Sequence, residues 1–147
     1  METVIYQPEI AGNVGAIIRL SANTGIKVNF IRPFGFEFQE SKIRRAGLDY
    51  HDLASVVIYD SWEEFISNNL NKNIACLSSK GLEPYWDTEL NNIDYLIFGP
   101  ESIGLPENIL EKYKTLTIPM EDSSRSINLA NAVSAVMFES LRQKNVK

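Results

Sequence analysis

In the stretch YLIFGPESIGLP, residues 95–106, an apolar run is followed directly by glycine and proline. Glycine and proline after a buried strand let the backbone turn sharply, and glycine also lets a ligand approach the chain closely. In open α/β sheets, ligands bind at the carboxyl ends of parallel strands. This stretch therefore predicts a buried strand that ends in a binding loop.

Two more loops of this kind lie further along the chain. The run Leu116-Thr117-Ile118 leads into IPM at 118–120, and SRSINLANA at 124–132 opens an apolar-periodic stretch from Leu129 to Leu141. Loops that follow neighbouring parallel strands meet at one edge of the sheet. The sequence therefore predicts a single pocket built from all three loops.

Upstream of these loops, candidate strands and helices alternate along the chain. A short strand at Val4–Tyr6 is followed by a helix from Val14 to Thr24, which Gly25 is suited to end. The alternation predicts a parallel α/β sheet flanked by helices. No linker, repeat or low-complexity tract interrupts it, so we expect one domain over residues 1–147. Further strands are predicted at 27–31, 56–59 (a continuous apolar run typical of burial on both faces), 74–78, 95–98 and 115–118, with helices from Ser41, at 61–69, 106–113 and 129–143.

The composition limits the classes of function. The 14 Lys and Arg residues against 19 Asp and Glu residues give a net charge of −5, which argues against non-specific nucleic-acid binding. Five of the six arginines nevertheless fall in or beside the loop motifs, so a local basic site is predicted: Arg19, Arg32, Arg44, Arg45 and Arg125. No apolar run approaches the roughly 20 residues of a membrane span, and no signal-like segment points to export. We therefore expect a cytoplasmic protein without a membrane segment.

The reactive residue types are sparse. Cys76 is the single cysteine and lies in an apolar run, which predicts a buried small hydrophobe. His51 is the single histidine, and no Cys/His cluster exists, so no metal is expected. The chain also has no GxGxxG and no Walker A lysine. The turn GNVG at 12–15 has two interpretations: Asn13 caps the following helix, or the turn is a substrate or interface loop that places Arg19.

Taken in order and spacing, FGPExxGLP, IPM and SRSxNLxNA resemble the signature loops of the SPOUT (trefoil-knot) RNA methyltransferases. The segments PEIAGNVGAIIR at 8–19 and RRAGLDY at 44–50 resemble the branch that methylates the 2′-hydroxyl of the tRNA wobble nucleotide. The similarity runs from Val4 to about Arg142. The resemblance implies a deep trefoil knot formed by about residues 74–147, although knotted connections are otherwise nearly absent from proteins.

The resemblance also implies S-adenosylmethionine (AdoMet) as methyl donor, held by the knot loops. Adenine needs an apolar slot edged by hydrogen-bonding groups, which Leu105, Ile118 and Leu129 could supply. Plain core packing is the alternative for the side chains of Leu77, Ile118 and Leu129. The cofactor-binding residues implied are Leu77, Gly99, Glu101, Gly104, Ile118, Met120, Ser126 and Leu129.

Arg19 is the catalytic residue that the resemblance implies, reaching in from the partner subunit of a homodimer. In this family, the arginine at this position is often assigned the role of general base. A guanidinium has no free acceptor and stays protonated, so stabilisation of a developing alkoxide is physically easier. Without the resemblance, an exposed arginine on a helix is the better interpretation. The predicted tRNA-binding residues are Asn13, Arg44, Arg45, Lys80 and Arg125.

The function expected is AdoMet-dependent 2′-O-methylation of the cytidine or uridine at wobble position 34 of tRNA. The alternatives are another tRNA position or ribosomal RNA, and a non-catalytic RNA- or AdoMet-binding module. Relatives usually read Asn-Thr-Gly-Asn where this chain has Asn13-Val14-Gly15-Ala16, and often tyrosine in place of Phe138. These departures concern substrate choice more than the cofactor. A flavodoxin-like small-ligand protein would leave Arg19 and Arg45 unexplained.

Overall fold

The fold is an α/β sheet in which every described strand pairing is parallel. The computed structural model describes residues 1–39, 41, 56–124 and 126–145. The strands are β1 Glu2–Tyr6, β2 Val28–Ile31, β3 Val56–Tyr59, β4 Ile74–Leu77, β5 Glu83–Pro84, β6 Tyr95–Phe98 and β7 Lys114–Thr117; the helices are α1 Ala11–Thr24, α2 Trp62–Asn68, α3 Glu107–Leu110 and α4 Leu129–Gln143. The described strands form one seven-stranded sheet in the order β3-β2-β1-β6-β4-β7-β5. The predicted fold class is therefore confirmed, while the knot and the single-domain organisation stay predictions.

The sheet separates two apolar clusters, one on each face. Successive side chains of a strand point to opposite faces, so Val4 and Ile5 of β1 belong to different clusters. On the side of Ile5, α1 and α4 pack together and bury Ile17 and Val133 completely. On the side of Val4, Phe65 of α2 is buried with the strand side chains. The loops that follow the strands are therefore attached to a sheet that is packed on both faces.

The first helix begins earlier than the sequence predicts. It starts at Ala11 rather than Val14, and its N-cap is Ile10, which makes no side-chain capping bond. Asn13 lies inside the first turn and is buried, so the interpretation of Asn13 as an N-cap is wrong. The predicted end is confirmed, because Gly25 adopts a left-handed φ of 68° and its N–H donates to the carbonyl of Ser21.

The start of α2 has the expected capping bond, whereas α3 ends earlier than the sequence predicts. Ser61 accepts a hydrogen bond from the backbone N–H of Glu64 at 3.1 Å, as a capping box requires. The carboxylate of Glu64 accepts from the N–H of Asp60 instead of from that of Ser61. Helix α3 ends at Leu110 rather than Tyr113, because β7 already begins at Lys114 and the chain needs the intervening residues to turn into it.

The two edges of the described sheet were not predicted correctly. Strand β3 lies at one edge, where Val57 is 41% exposed, so the predicted burial of this run on both faces is wrong. Its neighbour β2 is the strand that is buried at every position. At the other edge, the polar connection from 80 to 92 contains the short strand β5, whose Pro84 suits an edge position, and two 3-10 turns.

Cys76 is fully buried in β4, which confirms the prediction of a buried small hydrophobe. Burial raises the pKa of its thiol to about 12, so the thiol stays protonated at pH 8 and lacks the nucleophilic thiolate. We expect no reaction with Ellman's reagent in the folded protein at pH 8 and one equivalent after unfolding in guanidinium. Equal rates in the folded and unfolded protein would contradict this burial.

Helices long and apolar enough to cross a membrane do not occur in the part of the chain that the structure describes. The same residues contain no cluster of three or more His, Cys, Asp or Glu side chains that could hold a metal ion. Of the helix predicted from Ser41, the structure describes Ser41 alone; Arg44, Arg45 and the single histidine His51 lie outside the described residues.

Candidate functional site

Four adjacent strands have their carboxyl ends side by side, at the same end of the sheet. The register aligns Ile5 of β1 with Phe98 of β6, Phe98 with Leu77 of β4, and Leu77 with Leu116 of β7. The segments that follow these strands therefore leave the sheet at the same level. Residues 7–10, 99–106, 78–80 and 118–120 are these segments, and they lie where ligands bind in sheets of this kind.

A cavity of about 620 Å³ opens at this edge, within the range of about 300–1,000 Å³ typical of ligand and cofactor sites. The structure thus brings the three signature loops together, as the sequence predicts. Phe98, Ser78 and Ser79 also line the cavity and were not predicted. The predicted cofactor residues all lie in its wall: Leu77, Gly99, Glu101, Gly104, Ile118, Met120, Ser126 and Leu129.

The loop after β6 folds back tightly on itself around Gly99. A Cβ atom at Gly99 would lie 2.6 Å from the carbonyl carbon and 2.9 Å from the Cα atom of Gly104. Gly104 has a left-handed φ of 70°, and its N–H donates to the carbonyl of Pro100 at 3.1 Å. The glycine pair therefore sets the shape of this wall, because a side chain at Gly99 would collide with backbone atoms that no rotamer change can move.

The walls combine an apolar slot with polar edges. Phe98, Leu105 and Leu129 are almost completely buried behind the cavity, at 2%, 6% and 8% exposure. The same space is lined by residues that carry hydroxyl or amide groups, namely Ser78, Ser79, Ser126 and Asn128. This arrangement suits a ligand with a flat apolar part and hydrogen-bonding edges.

Two carboxylates join the loop after β6 to the start of α1. Glu101 accepts hydrogen bonds from the backbone N–H groups of Glu9 at 2.8 Å and Ile10 at 3.1 Å. In return, Glu9 accepts from the backbone N–H and the hydroxyl of Ser102 at 2.8 and 2.7 Å. These bonds from Ser102 lower the pKa of the Glu9 carboxyl, so it stays ionised to a lower pH than usual.

Asn13 extends this connection to the third loop. Its Nδ2 donates to Glu101 at 3.0 Å, and its Oδ1 accepts from the Nδ2 of Asn128 at 3.0 Å. Asn128 in turn caps α4 by accepting from the backbone N–H of Asn131 at 3.2 Å. Asn13, predicted to contact tRNA, lies in the cavity wall with both polar atoms of its amide engaged by protein groups.

The predicted basic residues are placed in different surroundings. Lys80 lines the cavity and forms an ion pair with Glu107 at 2.7 Å, at its exposed rim. Arg19 is exposed on α1 and is not among the described residues that line the cavity. Arg125, which is predicted to bind tRNA, lies outside the described residues, as do Arg44 and Arg45.

The three departures from the family pattern differ in position. Val14 is fully buried in the core beside α4 and does not line the cavity. Ala16 is exposed on α1, and Phe138 is 55% exposed on α4. The cavity wall of this chain is therefore built without these positions.

The contacts that sequence analysis missed are those between distant segments. Glu9 and Ser102 belong to two of the motifs, and neither is a predicted site residue. Their pairing follows from the register, since β1 and β6 are neighbours and both loops begin at the same level.

Comparison with known proteins agrees with this geometry. The model of the SpoU rRNA Methylase family matches residues 1–138. A tRNA (cytidine(34)-2′-O)-methyltransferase of Saccharophagus degradans is 44% identical over 143 residues, which cover 95% of this chain and 93% of the relative.

Solved structures show the same similarity. A structure from work on the 2-OH methylation of C/U34 on tRNA has a TM-score of 0.91 and 38% identity, covering 99% of this chain and 97% of the other. The SpoU methyltransferase AviRb from Streptomyces viridochromogenes, in complex with AdoMet, has a TM-score of 0.83. Its identity is 22%, with 99% of this chain and 58% of that chain covered, so this likeness concerns the fold alone.

Proposed function

The chain belongs to the SpoU rRNA methylase family, and on this premise we propose that it is an AdoMet-dependent methyltransferase of the ribose 2′-hydroxyl at wobble position 34 of tRNA. The observation that carries the proposal is the meeting of the three signature loops at one cavity. The relative named for cytidine 34 of tRNA matches nearly the whole length of both chains, which favours this substrate over another RNA position.

The residues of the cavity fit AdoMet. When bound, AdoMet supplies an electrophilic methyl group on a sulfonium sulfur. The slot of Phe98, Leu105 and Leu129 suits the faces of an adenine ring, and the backbone groups of the loops suit its edges. Serine hydroxyls at 78, 79 and 126 suit the ribose and the amino-acid part. We assign AdoMet binding to the eight cavity residues that were predicted for it.

Arg19 acts on the substrate oxygen in this proposal. The 2′-oxygen becomes more negative as it attacks the methyl group, and a guanidinium fixed beside it stabilises that charge. Arg19 is exposed on α1 and lies about 9 Å along the helix axis from Asn13 at a rise of about 1.5 Å per residue. Because it does not line the cavity of its own chain, we propose a homodimer in which Arg19 serves the cavity of the partner subunit.

The tRNA would contact basic residues around the cavity. Lys80 stands at the rim, where its ammonium group, now paired with Glu107, could instead meet a phosphate of the bound RNA. Arg44, Arg45 and Arg125 complete the proposed contacts. With a net charge of −5, such binding relies on a few local contacts and is selective rather than strong. With tRNA as its substrate, we also propose that the enzyme acts in the cytoplasm.

The proposal is tested by transfer of labelled methyl from AdoMet to tRNA taken from cells that lack wobble 2′-O-methylation. Nuclease digestion then locates the label. We expect it on the ribose of nucleotide 34 and nowhere else in the tRNA. Total ribosomal RNA, assayed in parallel with the same enzyme sample, is the control for substrate class.

Each other outcome has a defined meaning. Label at a different tRNA position or in ribosomal RNA would keep the reaction and replace the substrate. AdoMet binding measured by calorimetry without transfer to any RNA would contradict enzymatic function and favour a binding module.

A further inference from the structure

The amide of Asn13 joins three segments that are far apart in sequence. It belongs to α1, donates to Glu101 of the loop after β6, and accepts from Asn128 of the loop before α4. The two partners lie 88 and 115 residues further along the chain and both line the cavity. We call these two hydrogen bonds the Asn13 link.

The chemistry of the partners fixes the orientation of the link. An ionised carboxylate can only accept, so the Nδ2 of Asn13 must face Glu101 and its Oδ1 must face Asn128. The Oδ1 of Asn128 already accepts the N–H of Asn131, which leaves the Nδ2 of Asn128 as the donor to Asn13. Asn13 is only 7% exposed, so a broken bond here would leave a buried polar group without its partner.

The Asn13 link connects the exposed loop before α4 to the buried side chain of Asn13. Residues 126–128 are exposed, whereas Asn13 is buried between α1 and the loop after β6. A ligand that fills the cavity contacts both loops and restricts their positions. Because both loops bond to the same amide, that restriction reaches the first turn of α1, the helix that carries Arg19 six residues later.

We propose that Asn13 is a positioning residue, which couples filling of the cofactor cavity to the position of α1 and thereby of Arg19. The inference rests on the proposed function and adds a regulation to it: the enzyme aligns its catalytic arginine only when the methyl donor is present. Typical coupling between two sites changes an equilibrium by about 5- to 150-fold, which is the size of effect to look for.

Two isosteric substitutions each cut one bond of the link. Asn13→Asp removes the donor to Glu101 and sets two carboxylates against each other, but keeps an acceptor for Asn128. Asn128→Asp removes the donor to Asn13 but keeps the oxygen that caps α4, where aspartate is as good a cap as asparagine. Asn23→Asp makes the same chemical change at an exposed position of α1 and is the matched control.

Hydrogen–deuterium exchange, with and without saturating AdoMet, tests the coupling directly. In the wild-type protein and in Asn23→Asp, we expect AdoMet to slow exchange of the loop at 99–106 and, by about fivefold or more, of α1. In Asn13→Asp and Asn128→Asp, AdoMet should still protect the loop but no longer α1. Protection of α1 that persists in both link variants, or that is absent from the wild-type protein, overturns the proposal.

Single-turnover transfer and calorimetric titration with AdoMet separate positioning from a general structural defect. In both link variants the rate of transfer should fall, while the affinity for AdoMet changes by no more than a few-fold. An equal loss in both quantities contradicts the proposal.

The same samples distinguish this inference from the proposed function. Transfer to tRNA by a wild-type protein whose α1 gains no protection from AdoMet overturns the coupling and leaves the function intact. Protection of α1 that is lost in the link variants, in a protein that transfers no methyl group, supports the coupling and contradicts the function.

Discussion

Replacing Arg19 by alanine should lower the rate of methyl transfer by about 100- to 1,000-fold, the loss typical of removing one group that stabilises developing negative charge. The affinity for AdoMet should change by no more than a few-fold, because Arg19 is not among the described residues of the cavity wall. Single-turnover transfer to tRNA and calorimetric titration with AdoMet measure the two quantities separately. An equal loss in both would contradict the proposed role.

Two further variants sharpen this test. Arg142→Ala removes an exposed arginine that pairs with Glu139 on α4, away from the cavity wall, and should leave transfer near the wild-type rate. Arg19→Lys keeps the positive charge but loses the planar fork of donors, so we expect a rate between those of alanine and arginine. If lysine were no better than alanine, fixed hydrogen-bond geometry rather than charge would be required.

Much of the sheet was predictable from local sequence. The apolar runs at 95–98 and 74–77 predict buried strands. Gly25 and Ser61 predict helix ends, because capping depends on backbone chemistry within a few residues. What failed depends on pairing between distant segments. The exposure of β3 follows from its place at the edge of the sheet, which no property of residues 56–59 reveals.

The functional site was likewise predictable where it depends on local sequence, but not where it depends on contacts between distant segments. The three loops were recognised because glycine, proline and serine follow apolar runs, and the parallel order of strands then brought them together. The Asn13 link was not predicted, because its partners lie 88 and 115 residues away and asparagine suits a cap, a turn or a ligand contact equally well. Such choices are settled by tertiary neighbours and not by local propensity.

Replacing Gly99 by valine should weaken AdoMet binding by more than about 100-fold. The new Cβ would lie 2.6 Å from the carbonyl carbon of Gly104, so the backbone must shift and this wall no longer fits the ligand; a 100-fold loss of affinity corresponds to about 2.8 kcal/mol. Gly104→Ala is the matched change in the same loop: a Cβ there meets open space, and only its left-handed φ of 70° is strained. Its loss should be smaller, at most about tenfold. Calorimetry measures both, and unchanged affinity in Gly99→Val would remove this loop from the site.

Gly99→Val and Arg19→Ala together test whether each site is shared between two subunits. If Arg19 serves the partner's cavity, a mixed dimer has one site that combines an intact cavity with an intact arginine. Random assortment of equal amounts makes about half of the dimers mixed, each with one of two sites intact, so activity should recover to about a quarter of the wild-type value. No recovery, in a mixture shown by mass spectrometry to contain mixed dimers, would place Arg19 at the cavity of its own chain.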